Sequence, residues 1–286
     1  MESKRVLITG GAGFVGCNLA DYFIEKGHQV TIFDNFYRKG VQYNVAWLRT
    51  RHGDSVRVIE GDIRDYQAIR RATEGMEVVY HVAAQTAVTT SVRNPREDFE
   101  INAWGTFNVL EAARETGENP VVIFTSTNKV YGEMEDVRVE EKERRYAYVD
   151  RPFGIDEHQP LDFHSPYGCS KGTADQYVRD YARIYGLPTV VFRMGSIYGP
   201  HQFGVEDQAW VAYFVIAAVK GWPITIYGDG KQVRDVLYID DLVRAFELAT
   251  ERIEVTAGQI YNIGGGPDNT ISIWAEFAPM LSDVLG

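Results

Sequence analysis

The segment "FHSPYGCSKGTADQY" (163–177) holds a tyrosine and a lysine that are four residues apart. Ser165 and Pro166 are residues that typically open a helix, and the spacing predicts that Tyr167 and Lys171 lie on one face of it. Such pairs also occur by chance on helix surfaces. The pair has a chemical role if the ammonium lowers the pKa of the phenol, because the phenol can then act as a base near neutral pH.

The segments that would position this pair alternate between short apolar runs and longer amphipathic stretches. The apolar runs are rich in Val and Ile, as buried parallel strands are, and they occupy residues 5–9, 29–33, 56–59, 77–82, 120–125 and 188–193. Helices are predicted between them at 14–26, 41–51, 65–73, 97–117 and 166–186. The alternation predicts an α/β Rossmann-type fold, a doubly wound parallel sheet that binds ligands at the carboxyl ends of its strands.

The regular alternation ends after residue 193. The remaining predicted elements are a helix near 207–220, strands at 224–227 and 233–238, a helix at 240–250 and a strand at 259–262, while 133–164 is predicted to be a charged loop. We therefore expect residues 1–193 and 236–262 to form the Rossmann-type domain. Residues 194–235 and 263–286 are expected to form a smaller interleaved C-terminal lobe.

A glycine-rich turn, "TGGAGFVG" (9–16), joins the first predicted strand to the first helix. Gly11, Gly13 and Gly16 fit the spacing G-x-G-x-x-G, and Gly10, Gly13 and Gly16 fit the related G-x-x-G-x-x-G. Glycines in this position permit the tight turn and bring backbone N–H groups close to a pyrophosphate. Because a strand precedes the turn and a helix follows it, the sequence predicts a dinucleotide site.

Asp34 ends the second predicted strand, about 20 residues beyond the glycine-rich turn. A carboxylate there accepts hydrogen bonds from the adenosine ribose and repels a 2′-phosphate, which predicts NAD rather than NADP. The nearby Arg38 and Lys39 leave the alternative open, since a base could accept a phosphate.

The segment "EGDIRD" (60–65) closes the third predicted strand. Its position places Asp62 and Ile63 where the adenine edge is expected. In the alternative interpretation, Asp62 or Asp65 caps the following helix.

A third reactive side chain comes from "FTSTNKVYG" (124–132), at the end of the fifth predicted strand. Thr127 could hold a substrate hydroxyl against Tyr167. Hydride abstraction from a secondary alcohol requires that its proton be removed, and free tyrosine titrates near about 10. Lys171 and a positive nicotinamide ring would both favour the phenolate. Thr127, Tyr167 and Lys171 are therefore the predicted catalytic residues.

Four motifs, "TGGAGFVG", "HVAAQ", "FTSTNKVYG" and "YGCSK", together resemble those of the extended short-chain dehydrogenase/reductases, the group of nucleotide-sugar epimerases and dehydratases. The resemblance covers essentially the whole chain and implies NAD as the cofactor and a nucleoside-diphosphate sugar as the substrate. It implies that Tyr167 transfers the proton, that Lys171 holds the nicotinamide ribose and lowers the tyrosine pKa, and that Thr127 aligns the reacting hydroxyl. The implied cofactor-binding residues are Gly10, Gly13, Phe14, Val15, Gly16, Asp34, Asn35, Arg38, Asp62, Ile63, Ala83, Tyr167, Lys171 and Met194.

The residues that follow Thr127 bear on the reaction. Dehydratases of this group need a carboxylate there to remove a proton next to the ketone, and Asn128 and Lys129 cannot replace it, which also disfavours decarboxylation. The closer resemblance, through "STNKVYG", "YGPHQFGVEDQAWV" and "GDGKQVRDVLYIDDLVRA", is to the 2-epimerases of CDP-hexoses of the paratose and tyvelose type. It implies reversible inversion at carbon 2 through a 2-keto sugar. The alternatives are a UDP-sugar or UDP-uronate 4-epimerase and, in another class, a non-catalytic NAD-binding sensor or scaffold.

The same resemblance implies a set of substrate contacts. Arg234 is expected to meet the diphosphate, while His164 could equally be an exposed loop residue. Ser196 stands where many 4-epimerases have an asparagine that contacts the diphosphate, and relatives usually continue beyond Gly286, so the lobe is expected to be short at its C-terminal end. The implied substrate-binding residues are Gln85, Thr127, His164, Ser196, Gln202 and Arg234.

Composition excludes several classes. The formal net charge of −11 argues against general nucleic-acid binding. No apolar run of about 18 residues and no signal-peptide pattern is seen, so no membrane association and no secretion are expected. Cys17 and Cys169 fit a reducing cytoplasm, with Cys169 a packing residue rather than a nucleophile. No metal site is expected, and the family implies a homodimer or homotetramer.

Overall fold

The computed structural model of the protein describes residues 3–285, and its centre is a seven-stranded parallel sheet. In spatial order the strands are β3 (Val56–Glu60), β2 (Gln29–Asp34), β1 (Arg5–Thr9), β4 (Val78–His81), β5 (Val121–Thr127), β8 (Thr189–Met194) and β11 (Ile260–Ile263). The predicted Rossmann-type sheet is therefore confirmed. The order reverses between β1 and β4, which is the switch point at which such sheets bind ligands.

Helices cover both faces of this sheet and bury one apolar layer on each. One layer is formed by α1 (Phe14–Glu25), α2 (Val41–His52) and α9 (Ile239–Glu251). The other is formed by α3 (Tyr66–Thr73), α6 (Gly105–Glu115) and α7 (Ser165–Tyr185). Because both faces are covered, strands such as β5 are buried along their whole length, which explains their continuous apolar character.

The remaining elements form a smaller lobe and surface segments. The lobe contains a three-stranded sheet of β9 (Ser196–Tyr198), β10 (Val233–Tyr238) and β12 (Thr270–Ser272), with α8 (Trp210–Lys220) and α11 (Phe277–Leu285) around it. The predicted loop at 133–164 contains a hairpin of β6 (Val139–Glu141) and β7 (Tyr146–Tyr148). Three short helices complete the described chain: α4 (Val88–Arg93), α5 (Pro95–Phe99) and α10 (Ile253–Thr256).

Two predicted elements differ from the structure. The strand predicted at 224–227 is wrong: the chain there is irregular, and Ile224 and Ile226 pack against the apolar cluster of the lobe without a partner strand. The helix predicted at 97–117 starts earlier, at Pro95 after the cap Asn94, and its middle, 100–104, is a π-helical turn.

The predicted division into two lobes remains a prediction. The chain passes repeatedly between the two sheets, since β9, β10 and β12 belong to the small sheet and β8 and β11 to the large one. The boundary placed between residues 235 and 236 falls inside β10. Within residues 3–285, no helix combines the length and the apolar character needed to cross a membrane.

Candidate functional site

A cavity of about 700 Å³ opens at the switch point of the large sheet. Its walls come from the carboxyl ends of β1, β2, β4, β5 and β8, from the start of α7 and from the segment that precedes α8. Its volume is in the range of ordinary cofactor and ligand pockets. The residues predicted to bind cofactor and substrate can be located relative to this cavity.

The glycine-rich turn forms one wall and fits a dinucleotide phosphate. Gly10 has a φ of 70°, and a Cβ added there would lie 2.7 Å from the backbone of Ala83, so only glycine suits the turn. A Cβ on Gly16 would meet the carbonyl oxygen of Gly10. α1 begins after Gly13 with no side chain capping its N-terminus, so the first N–H groups, including those of Phe14 and Val15, are free to bind an anion.

Asp34 lies at the end of β2 on the same cavity, fixed by the backbone. Its two oxygens accept the N–H groups of Ala12 at 3.0 Å and Phe36 at 2.8 Å. Burial raises the pKa of Asp34, and these two N–H groups oppose the rise. A carboxylate held in this way offers its remaining lone pairs to a ribose, as NAD binding requires. Asn35 and Arg38 line the cavity next to it.

Asp62 and Asp65, the two acidic residues of the segment after β3, have different roles. Asp65 is the N-cap of α3 and accepts the N–H of Ala68 at 3.1 Å, so the capping alternative holds for Asp65 and not for Asp62. Asp62 lines the cavity with Ile63. Although partial burial opposes it, hydrogen bonds from Arg64 and Asn35 lower the pKa of Asp62 to about 2.

The helix α7 places the predicted catalytic pair on its buried face. Tyr167 and Lys171 are 8% and 2% exposed, and Tyr167 lines the cavity together with Thr127, the last residue of β5. Lys171 lies behind this wall, where its Nζ donates to the carbonyl oxygen of Thr125 at 2.6 Å and is 4.1 Å from the ring centre of Phe124. The structure thus brings the two hydroxyls into the cleft of the glycine-rich turn, with the ammonium just outside it.

The pKa of the phenol does not follow the sequence-based expectation in the protein alone. Burial raises the pKa of Tyr167 to about 12, a rise that the Thr127 hydroxyl opposes and the charge of Asp98 increases. Burial also lowers the pKa of Lys171 to about 7, against the opposite effect of Asp175 and Asp98. Desolvation is therefore the largest cause of both shifts, and the charge of Lys171 is not among the causes that act on the pKa of Tyr167 in the protein alone.

A buried ion pair fixes α7 against the sheet one turn beyond Lys171. The Asp175 carboxylate accepts two hydrogen bonds from the Arg193 guanidinium, both 2.9 Å long, and the side chains are 0% and 2% exposed. Ser126 donates to Asp175 at 2.8 Å, and Arg193 also donates to the hydroxyl of Tyr131 at 3.0 Å. Together with Ser126, the pair connects β8 to α7 and β5, the two elements that hold the predicted catalytic residues.

A neutral histidine, His81, is buried behind the cleft. The Thr9 hydroxyl and Nδ1 of His81 are 2.7 Å apart, and Nε2 of His81 is 2.9 Å from the Thr106 hydroxyl. Because Thr106 gives its own hydrogen to the carbonyl of Asn102 at 2.6 Å, the proton of His81 must be on Nε2. Burial, and then the charge of Lys171, lower the pKa of His81 to about 3.

Four of the residues predicted to bind the substrate line the cavity, but some of their polar groups already form hydrogen bonds within the protein. Besides Thr127, these are Ser196, whose oxygen accepts from Trp210 at 3.3 Å, and Gln202, which donates to a backbone carbonyl at 3.1 Å. Gln85 also lines it, but its amide N–H groups are donated to Asp98 at 2.7 Å and to the carbonyl of Ala87 at 2.9 Å. The side chain of Gln85 therefore orders the wall and has no N–H left for the sugar.

His164 and Arg234 do not belong to the cavity wall. His164 precedes α7 with a side chain that is 68% exposed and lies 3.7 Å from Glu133, so it is the loop histidine of the alternative interpretation. Arg234 lies on β10 and donates to the carbonyl oxygen of Val233 at 2.8 Å. Cys169 is exposed, so the packing role predicted for it is wrong, whereas Cys17 is buried.

Contacts that were not predicted from the sequence close the cleft in front of α8. There Gln208 forms hydrogen bonds with Thr86 and Arg38, and Thr89 donates a hydrogen bond to Asp207. The two partners of each contact lie more than a hundred positions apart along the chain, so no local spacing could reveal them. Lys129 also lines the cavity, where desolvation and the charge of Arg234 lower its pKa.

Comparisons with known proteins agree with this geometry. A sequence model described as the NAD dependent epimerase/dehydratase family matches residues 6–264. CDP-paratose 2-epimerase of Salmonella typhi is 46% identical over 98% of this chain and 84% of its own. The crystal structure of UDP-glucose 4-epimerase with UDP-glucose from Thermotoga maritima superposes with a TM-score of 0.81 at 32% identity, covering 98% of this chain and 82% of that one.

A third relative carries the cofactor. The crystal structure of the dTDP-glucose 4,6-dehydratase DesIV from Streptomyces venezuelae, with NAD and TYD bound, superposes with a TM-score of 0.82 at 30% identity, covering 99% of this chain and 81% of that one. The predicted cofactor, NAD, is confirmed by the family and by such NAD-bound relatives. The chain therefore belongs to the NAD-dependent epimerase/dehydratase family.

Proposed function

We propose that this enzyme is an isomerase that inverts carbon 2 of a nucleoside-diphosphate hexose, a CDP-hexose of the paratose and tyvelose type. The observation that carries the proposal is that Thr127 and Tyr167 share one cleft with the glycine-rich turn, while Asn128 and Lys129 follow Thr127 where a dehydratase needs a carboxylate. The 46% identity to CDP-paratose 2-epimerase supports carbon 2 and the cytidine nucleotide.

The residues of the cleft divide the work of such a reaction. Tyr167 removes the proton from the hydroxyl on carbon 2 and later returns it, and Thr127 holds that hydroxyl against the phenol. When bound, NAD would supply the acceptor and donor for the hydride of the same carbon, so that no net oxidation would occur. Lys171 supplies positive charge behind the phenol. The positive nicotinamide adds to it, and together they must offset the burial that raises the pKa of Tyr167 to about 12.

Selection of carbon 2 requires that the sugar be turned in the cleft. Ser196 and Gln202, which line the cavity, are the side chains proposed for this role. Lys129, on the wall beside Thr127, offers an ammonium to the substrate there. A 4-epimerase would present carbon 4 to the same phenol and is the alternative to test.

The test is product analysis with CDP-, UDP- and GDP-hexoses. We expect inversion at carbon 2 of the CDP-hexose, resolved by NMR. Inversion confined to carbon 4 of a UDP-sugar or UDP-uronate would establish the 4-epimerase instead. Binding of NAD with no turnover of any nucleotide sugar would favour the sensor or scaffold.

We also propose that the enzyme is a homodimer or homotetramer that forms through α6 and α7. Trp104 stacks on Phe107 with ring centres 5.4 Å apart, and Phe107 contacts Tyr177 across the two helices. Trp104 and Tyr177 are nevertheless 48% and 47% exposed. Aromatic side chains clustered in this way are enriched at the centres of interfaces.

Substitution of Trp104 by Glu should dissociate the oligomer. A charge buried in an apolar interface without a partner is costly, so light scattering should report the mass of one chain. Val255→Glu, which alters an exposed residue of α10, is the matched control and should leave the mass unchanged. A monomeric wild-type protein would refute this interface.

We further propose a cytoplasmic location. Cys17 and Cys169 are both free thiols in the structure, as expected of a reducing compartment. The proposal is tested by fractionating cells and measuring in which fraction the enzyme activity is found.

A further inference from the structure

Asp98 is a carboxylate in the interior that has no basic partner. It is 1% exposed, and no basic nitrogen within residues 3–285 lies within 4.0 Å of it. Its oxygens accept from Nε2 of Gln85 at 2.7 Å, from Nδ2 of Asn102 at 3.2 Å and from the Ser170 hydroxyl at 2.6 Å. Amide nitrogens can only donate, so this environment suits the ionised form. A buried charge without an ion-pair partner is unfavourable and calls for an explanation.

The contacts of Asp98 lead directly to the catalytic helix. Ser170 is the residue before Lys171, and its hydroxyl also lies 3.2 Å from the carbonyl oxygen of Tyr167. α5, which carries Asp98, packs against α7. Lys171 is itself buried with only a backbone carbonyl as its hydrogen-bond partner, that of Thr125. The buried carboxylate of Asp98 and the buried ammonium of Lys171 thus belong to two helices, α5 and α7, that pack against each other.

The other charged groups around Lys171 are already paired or neutral. Asp175, on the same helix, accepts both hydrogen bonds of Arg193 from β8. His81, on β4, is neutral because burial, and then the charge of Lys171, lower its pKa. Asp175, whose charge has the larger effect on Lys171, is thus hydrogen-bonded to Arg193, whereas Asp98 is a second carboxylate that acts on Lys171 and has no basic group within 4.0 Å in residues 3–285.

We propose that Asp98 is the counter-ion of Lys171 across the contact between α5 and α7, and that it is a positioning residue which keeps this lysine protonated behind Tyr167. Asp98 does not line the cavity and so acts through the lysine and the phenol, not on the substrate. The kinetic consequence rests on the proposed function, whereas the charge of Lys171 can be measured without turnover.

Removal of the negative charge of Asp98 should change the pKa values of Tyr167 and Lys171 in a defined direction. Asp98 raises the pKa of both Tyr167 and Lys171, so Asp98→Asn should lower both. The low-pH and high-pH limbs of kcat/KM together report the ionisations of the phenol and the lysine, as macroscopic values of the pair. We expect both limbs to move to lower pH by about one unit.

Asp98→Asn is also close to isosteric. Its Oδ1 can accept from Gln85 and Asn102, and its Nδ2 can donate to Ser170, whose hydrogen then turns to the carbonyl of Tyr167. If the variant is unstable, Asp98→Ser, which keeps a small polar group, is used for the same titration.

Ser170→Ala is the matched control. It removes one hydrogen bond of Asp98 and leaves the charge, so turnover can fall but the limbs should stay at the wild-type pH. If Asp98 had only a structural role, Asp98→Asn would behave like Ser170→Ala, with reduced turnover and with both limbs of the pH profile unmoved. That result would overturn the proposal.

The measurement without turnover is NMR titration of lysine labelled with ¹³C at Cε, with the Lys171 signal assigned by its loss in Lys171→Arg. We expect the midpoint of Lys171 to be about one pH unit lower in Asp98→Asn than in the wild type. An unmoved midpoint would refute the counter-ion role even if the sugar is epimerised. A moved midpoint in a protein that turns over no nucleotide sugar would refute the proposed function and leave the role of Asp98 standing.

Discussion

Substitution of Tyr167 by Phe is expected to lower kcat by about 10²–10⁴-fold, because the variant lacks the only group proposed to move the substrate proton. The ring is 8% exposed and packs at the start of α7, and Phe preserves its shape, so the fold should be retained. NAD should bind with nearly unchanged affinity, since the glycine-rich turn and Asp34 are untouched. Steady-state kinetics with the CDP-hexose and fluorescence titration of NAD measure the two effects.

Tyr185→Phe provides the control for this variant. Tyr185 ends the same helix, is 55% exposed and does not line the cavity, so loss of its hydroxyl should leave kcat unchanged. Turnover of Tyr167→Phe at the wild-type rate would show that another group carries the proton.

The second large effect concerns stability. Asp175→Ala should lower the free energy of unfolding by about 3–5 kcal/mol, because it leaves the Arg193 guanidinium buried without its two charged hydrogen bonds. It also removes the acceptor of Ser126, one residue before Thr127. Urea denaturation followed by circular dichroism measures the change.

A surface ion pair is the matched comparison for Asp175→Ala. Arg70 and Glu74 are 3.1 Å apart on α3, with side chains 41% and 58% exposed, so Glu74→Ala should cost no more than about 0.5 kcal/mol. Replacing both interior partners, by Leu at Asp175 and Met at Arg193, should recover much of the loss, since no charge is then left unpaired. An Asp175→Ala variant as stable as Glu74→Ala would contradict the structural role of the pair.

The sequence was sufficient for the sheet and the cofactor loop because both depend on local patterns. The strands of the large sheet are buried on both faces and therefore read as continuous apolar runs, and the glycines that bend the turn at Gly10 and Gly16 are required by its backbone. The interval between Tyr167 and Lys171 predicted that both lie on one face of a helix, and in the structure both are buried on α7. The strand predicted at 224–227 was wrong because apolar side chains in a loop can pack on a neighbouring cluster without pairing.

What the sequence could not predict depends on distant partners. Asp98, Asn102 and Ser170 form one hydrogen-bonded group with Gln85, and only the fold brings α5 and α7 together. The same limit applies to the pKa of Tyr167, since the lysine predicted to lower it is visible in the sequence, whereas the burial that raises it is not.

The most direct test of the proposed chemistry uses a CDP-hexose that carries deuterium on carbon 2, incubated in ordinary water and followed by NMR. We expect the inverted product to keep the deuterium on carbon 2, because the hydride removed from that carbon returns to it. Inverted product that has exchanged the deuterium for solvent hydrogen would show that carbon 2 loses a proton instead, and would contradict an oxidation begun by Tyr167.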